Sequence, residues 1–220
     1  MPHRSLIISI LFGIAILAGM LCIDRDVALA FGAMKQSAPL LISFFSTVTA
    51  LGKSQWYLYP FGLLCLTSGL MLRWKFQPQR RTLWLTLLQT SGFIFANIAL
   101  SGLAVDFIKI IIGRPRPVLL LEQDIFNQFT AFSLTSRWWS FPSGHSATIL
   151  SLALAIGSIW PRWRWPLLLV AGTVAASRVI VTAHYPSDML GGLFIAAMIF
   201  TYLERFFHLR GWACWNKNTR

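Results

Sequence analysis

Five runs of mostly apolar residues dominate the chain: Ser5–Ile23, Trp56–Leu72, Leu83–Ile108, Trp165–Ala183 and Met189–Phe207. Each comes close to the 20 or so residues a helix needs to cross roughly 30 Å of hydrocarbon. A soluble domain of 220 residues has no interior large enough to hide them all. Composition agrees: 56% of the residues are hydrophobic and 12% charged, the latter about half the roughly 25% of soluble domains. In lipid, backbone polar groups must be bonded within the segment or within a closed barrel, and runs of this length suit helices. A sixth run, Ser146–Trp160, has the same character but reaches only about 22 Å. It must start below one membrane face or lie where lipid is thinned. The expected fold is an all-α membrane protein, a single domain over residues 1–220 with six transmembrane helices in one bundle. Leu40–Leu51, bracketed by Pro39 and Gly52, is apolar but short and is expected to form an additional interfacial helix.

The order of the charges orients that bundle. A net charge of +12 would by itself suit a nucleic-acid partner, but the basic residues fall between the apolar runs. With the N-terminus cytoplasmic, the inner segments hold Arg4, Arg73, Lys75, Arg80, Arg81, Arg162, Arg164, Arg205, Arg210, Lys217 and Arg220. These eleven face the single acid Glu204, whereas the outer side carries eight basic residues and six acids. An excess of Lys and Arg marks the cytoplasmic side. The charge therefore signals topology, with both termini inside, and nucleic acid is set aside as a partner. Ser5–Ile23 is longer than the apolar core of a signal peptide and lacks a small-x-small cleavage site, so it reads as a retained first helix. Trp56, Tyr57, Tyr59, Trp160, Trp163 and Trp165 suit interfacial belts. Cys22, Cys65 and Cys214 are odd in number and dispersed, which favours neither a disulfide framework nor a zinc site.

In this layout the unusual polar residues share one face. KIIIGRPRP and FPSGHS lie in the outer loop near 109–145, and AHYPSD lies at the end of Trp165–Ala183, the fifth run in chain order. Ionisable groups at such depth are expensive and mark function. Lys109, Arg116 and Arg178 are three cations suited to phosphate oxygens, the arginines through a planar fork. Pro142, Ser143 and Gly144 precede a helix start, where unpaired N–H groups and the positive dipole end favour an anion. His184 is expected at the end of the fifth helix and Asp188 in the first turn of the sixth. There Asp188 would accept a hydrogen bond from Nδ1–H and free Nε2 for attack. His145, placed separately, suits protonation of a leaving oxygen. Such a set points to phosphoryl transfer, in which catalysis is mostly positioning and charge stabilisation.

Lys109-x6-Arg116-Pro117, Pro142-Ser143-Gly144-His145 and Ser177-Arg178-x5-His184-x3-Asp188 together resemble the three-part signature of the type 2 phosphatidic acid phosphatase (PAP2) superfamily. That superfamily also includes vanadium haloperoxidases and bacterial acid phosphatases. The resemblance implies that His184 is the nucleophile of a phosphohistidine, oriented by Asp188. His145 then protonates the leaving group and activates water, while Lys109, Arg116, Ser143, Gly144 and Arg178 bind phosphate. Ser177, Pro117 and Pro142 belong to the signature without an assigned role. It implies no metal and no cofactor. The substrate would be a membrane lipid phosphate or pyrophosphate: undecaprenyl pyrophosphate, phosphatidylglycerol phosphate, phosphatidic acid or a lipid A phosphate. The expected setting is a bacterial inner membrane with a periplasm-facing site. The alternatives are a lipid phosphotransferase sharing the intermediate and a non-enzymatic lipid-binding protein. Arg114 fits no signature position, and Asn97 and Asp106 receive no chemistry. Glu122, Asp124 and Arg137 read as solvated loop charges.

Overall fold

The computed structural model describes residues 2–74, 78–213 and 215. Among them are nine α-helices and no strand. They are α1 (Pro2–Ala18), α2 (Asp24–Ser37), α3 (Pro39–Val48), α4 (Gln55–Met71), α5 (Pro78–Ile112), α6 (Pro117–Gln123), α7 (Gly144–Ile159), α8 (Arg164–Ile180) and α9 (Pro186–Leu209). A π-helical turn, Gly19–Ile23, runs α1 into α2, and a 3₁₀ turn, Thr49–Gly52, extends α3. Lys75, Cys214, Lys217 and Arg220 lie outside the described residues.

α7 is the hub, packed against α5, α8 and α9. Its sequence explains why: Ala147, Ser151, Ala153, Ala155 and Gly157 are all buried, and small side chains let neighbouring backbones approach. Ser151 donates to Ser101 of α5 (2.8 Å), and Ser158 donates to Glu204 of α9 (2.6 Å). The core adds Phe93, Ile94 and Ile98 of α5, Val174 of α8, and Leu203 and Phe207 of α9. A helix surrounded by protein need not present a full bilayer-length apolar face, which accounts for the short sixth run.

The exterior is apolar. Leu63, Phe107 and Leu169 are 63%, 67% and 75% exposed, a surface suited to lipid rather than water. Two stretches, Gln79–Gln123 and Pro186–Leu209, are long and apolar enough to cross a bilayer, and only 33% and 28% of their most apolar windows are buried. The helix of a soluble core would be mostly buried. α1, α4 and α8 have 17 residues each, or about 26 Å, a little short of the hydrocarbon thickness. The expected count of six spans is thus met by length and composition at two stretches.

Other departures from the sequence reading have physical causes. α5 is longer than its expected run, 35 residues or about 52 Å. It must emerge from the hydrocarbon, and Lys109 sits in its last turn. The segment after Ile23, to which the sequence assigns no element, is helix α2, with Asp24 and Asp26 in its first turn and Lys35 in its last, as the helix dipole favours. The expected interfacial helix is α3 with its 3₁₀ turn, and that turn packs on α7 and α8. α6, starting on Pro117, was not foreseen.

Candidate active site

α5 and α8 end, and α7 and α9 begin, at the same pole of the bundle. That pole gathers the signature. Lys109 closes α5, Arg116 is the N-cap of α6, and Pro117 begins that helix. Ser143 caps α7, whose first residues are Gly144 and His145, after a cis Phe141–Pro142 bond. Ser177 and Arg178 lie in the last turn of α8. Asp188 is the third residue of α9.

Two glycines make the convergence possible. Gly113 turns the chain after α5 with φ +57°, and a Cβ there would stand 1.7 Å from the Thr130 carbonyl oxygen. A Cβ on Gly192 of α9 would stand 2.2 Å from the Ser143 carbonyl oxygen, so α9 lies directly against the loop that opens α7. The Ser143 N–H donates to the Asp188 carbonyl (2.9 Å), binding the two together.

His184 is 3% exposed and lies in the turn between α8 and α9, beyond the helix end where it was expected. α8 stops at Ile180, and Thr182 turns the chain with φ +55°. The expected Nδ1 bond to Asp188 is not made. Nδ1 bonds the Ser140 carbonyl at 2.7 Å, and the Asp188 carboxylate stands 3.6 Å away. The nearer acceptor takes the proton, because the Asp188 oxygens are occupied: Oδ2 accepts from Ser140 Oγ (2.5 Å) and Tyr185 N–H (2.8 Å). A carbonyl only accepts, so Nδ1 carries the hydrogen and Nε2 the lone pair. Burial pushes the His184 imidazole down to about 4, opposed by the nearby Asp188 carboxylate.

The cations surround this pair. His145 lies within the fields of Arg178, His184, Lys109 and Arg116, and His184 within those of Arg116 and Arg178. Buried Nε atoms of Arg116 and Arg178 lack hydrogen-bond partners, a cost that an incoming anion would relieve. Arg178 donates to Thr49 (2.9 Å), and a Cβ on Gly52 would sit 2.7 Å from that of His145. The 3₁₀ turn after α3 therefore roofs the site. Ser143 Oγ accepts from Ser146 N–H (3.4 Å) and Ser146 Oγ (2.9 Å), leaving its own hydrogen to donate. Among the described residues no group of three or more His, Cys, Asp or Glu side chains gathers as metal ligands would.

The chain matches the PAP2 superfamily over residues 90–212, more than half its length and every signature position. It belongs to the PAP2 superfamily. It is 32% identical over 185 residues to a lipid A 1-phosphatase of Rhizobium johnstonii, covering 83% of this chain and 72% of that protein. It is 29% identical over 115 residues to the undecaprenyl-diphosphatase BcrC of Bacillus subtilis, covering 51% and 56%. Its fold is similar to the crystal structure of a transmembrane PAP2 type phosphatidylglycerolphosphate phosphatase from Bacillus subtilis. That match has a TM-score of 0.51 and 17% identity, covering 96% of this chain and 98% of that one.

The PAP2 signature leaves out the most buried cation at this pole. Arg114 is 2% exposed. It donates to Asp188 Oδ1 (2.5 Å), Asp24 Oδ2 (2.7 Å) and Ser187 Oγ (2.7 Å), and lies 4.4 Å from the Tyr185 ring centroid. Asp24 in turn accepts from the Ser187 N–H (3.0 Å) and the Ser187 hydroxyl. Both acids are fully buried. Thus α2, the α5–α6 connection and α9 are tied together behind His184 and Asp188. Asp106, also unassigned in the sequence, pairs with Lys109 at 3.3 Å. Arg137–Glu122 (3.1 Å) and Arg25–Asp124 (3.2 Å) are half-exposed or exposed pairs, consistent with solvated loop charges.

Proposed function

We propose that this protein hydrolyses a lipid phosphate or diphosphate through a phosphohistidine on His184, at the outer face of a bacterial inner membrane. The bundle crosses that membrane six times, with both termini cytoplasmic. The observation that carries the reading is the His184 ring itself: buried, with Nδ1 fixed by the Ser140 carbonyl, it keeps the Nε2 lone pair free at the pole where Lys109, Arg116 and Arg178 gather. Lys109, Arg116 and Arg178, with Ser143 and the first N–H groups of α7, hold the phosphoryl oxygens. Nε2 attacks phosphorus while Asp188 stabilises the positive charge developing on the ring. The leaving oxygen takes its proton from His145, whose protonated form is disfavoured first by burial and then by the surrounding cations, which the phosphate neutralises. His145 then takes a proton from water, which attacks the phosphohistidine, releases inorganic phosphate and restores the imidazole. No step requires a metal.

The names of the relatives support a lipid substrate, with a lipid A phosphate, undecaprenyl pyrophosphate and phosphatidylglycerol phosphate as candidates, and the family resemblance adds phosphatidic acid. The test is release of inorganic phosphate by the purified chain in detergent across this panel, with EDTA present. Turnover of at least one member, unaffected by the chelator, is the expected result. Dependence on added metal, or transfer to another lipid without phosphate release, contradicts the mechanism.

The lowered His184 value sets a pH profile. Its neutral, nucleophilic form predominates above about 4, whereas an ordinary histidine titrates near 6.5. The acid limb of kcat/KM is expected near pH 4, with full activity of this group at pH 6. The stability sign follows. Between about 6.5 and 4 the unfolded chain binds a proton that the folded chain refuses, so acidification across that window destabilises the fold. A limb at pH 6.5 in a kcat/KM profile contradicts the burial assigned to the nucleophile.

A further inference from the structure

A cavity of about 210 Å³ opens beside the catalytic pole, lined by Lys53, Ser54 and Gln55 at the start of α4, Asp106 and Lys109 of α5, and His145 of α7. His184, Arg116 and Arg178 do not line it. Lys109, Gly144 and His145 share its wall, so the cavity adjoins the proposed phosphoryl site on the side of the leaving-group acid. It is smaller than the roughly 300–1,000 Å³ of pockets that enclose a drug-sized ligand, and its lining is polar, so it suits part of a headgroup rather than a lipid tail.

Its charges decide which headgroup. The Asp106 carboxylate is held by Lys109 at 3.3 Å. Among the described residues no side chain pairs with the Lys53 ammonium, which sits exposed at the rim. The cavity also meets the positive end of α4, a helix of 17 residues, at its N-cap Ser54 and first residue Gln55. A neutral sugar or glycerol leaving group would leave the Lys53 charge unmatched, whereas a phosphate would meet it.

We propose that this cavity is a leaving-group subsite for a second phosphate, read by Lys53, so that the chain prefers lipid diphosphates to lipid monophosphates. The inference rests on the phosphohydrolase reading above. In the step it describes, the His184 Nε2–P bond forms and the bond from phosphorus to the bridging oxygen breaks. The electron pair stays on that oxygen, and the lipid departs as its monophosphate, its charge met by Lys53. Water later cleaves the phosphohistidine to inorganic phosphate. A phosphate leaving group is weakly basic, so here a cation replaces much of the need for a proton from His145.

The test uses the purified full chain and two substrates with the same acyl chains, phosphatidic acid and diacylglycerol diphosphate. The expected result for Lys53→Ala is a fall in kcat/KM of about tenfold or more on the diphosphate, as for a lost charge-assisted hydrogen bond. On the monophosphate the change is about twofold or less, and Lys53→Arg retains the diphosphate preference. Equal losses on both substrates, no loss on either, or a larger loss on the monophosphate overturns the subsite. If wild-type protein releases phosphate from neither these nor the wider panel, the failure lies in the phosphohydrolase reading instead.

Discussion

Replacing His184 with alanine is expected to lower phosphate release by about a thousandfold or more, the scale seen when a covalent nucleophile is removed. The size follows from the division of labour at the pole. In the proposed mechanism the cations, Ser143 and the start of α7 bind and polarise the phosphoryl group, and that binding should survive in the variant. What is lost is, among the described residues, the only buried imidazole whose tautomer is fixed with Nε2 free. Binding of vanadate, an analogue of the transferring phosphoryl group, should be reduced but not abolished. His145→Ala should be severe for substrates whose leaving oxygen needs a proton and milder for those that depart unprotonated. A His184→Ala protein that turns over at the wild-type rate is incompatible with the assignment.

Arg114→Ala is expected to be the most destabilising single change at this pole, by about 3–5 kcal/mol, the cost of breaking a buried ion pair from one side. Two fully buried carboxylates, Asp24 and Asp188, lose their shared counter-charge at once. The Ser187 hydroxyl loses a donor, and the Tyr185 ring loses the cation above it. Arg114→Lys should recover little of this, because a point charge on a flexible stem cannot hold three acceptors in one planar fork. Unfolding in detergent, followed by helical circular dichroism, measures the effect. A shift within about 0.5 kcal/mol of wild type, the range of ordinary surface changes, would show that the network does not hold the pole together.

How much of this could be read from the sequence depended on whether the chemistry left a mark on residue type and spacing. Lys109, Arg116, His145, Arg178, His184 and Asp188 stand out because ionisable groups are conspicuous between apolar runs, and their spacing reflects which helix ends meet. Arg114 sits two residues from Arg116 and resembles one more interfacial cation. Its partner Asp24 lies 90 residues away, and nothing local in either segment announces the contact. The true Nδ1 partner was illegible for another reason: Ser140 acts through its backbone carbonyl, which any residue would supply. Helix α2 was missed because its polar and apolar residues nearly balance, with only Asp24 and Ala28 buried, so tertiary contact rather than an apolar run selects it. The roof formed by Thr49 and Gly52 follows from the same limit. A bracketed apolar segment predicts a short helix but not the surface it closes over.

The central claim, that an imidazole on His184 carries the phosphoryl group, is tested most directly by trapping it. Purified protein is mixed with a lipid substrate labelled at its terminal phosphate and quenched within one turnover. The protein should carry label that is stable to alkali and labile to acid, as a phosphorus–nitrogen bond is, and peptide mapping should place it on the segment holding His184. Label on another residue, or no label on an enzyme that is releasing phosphate, would contradict the account.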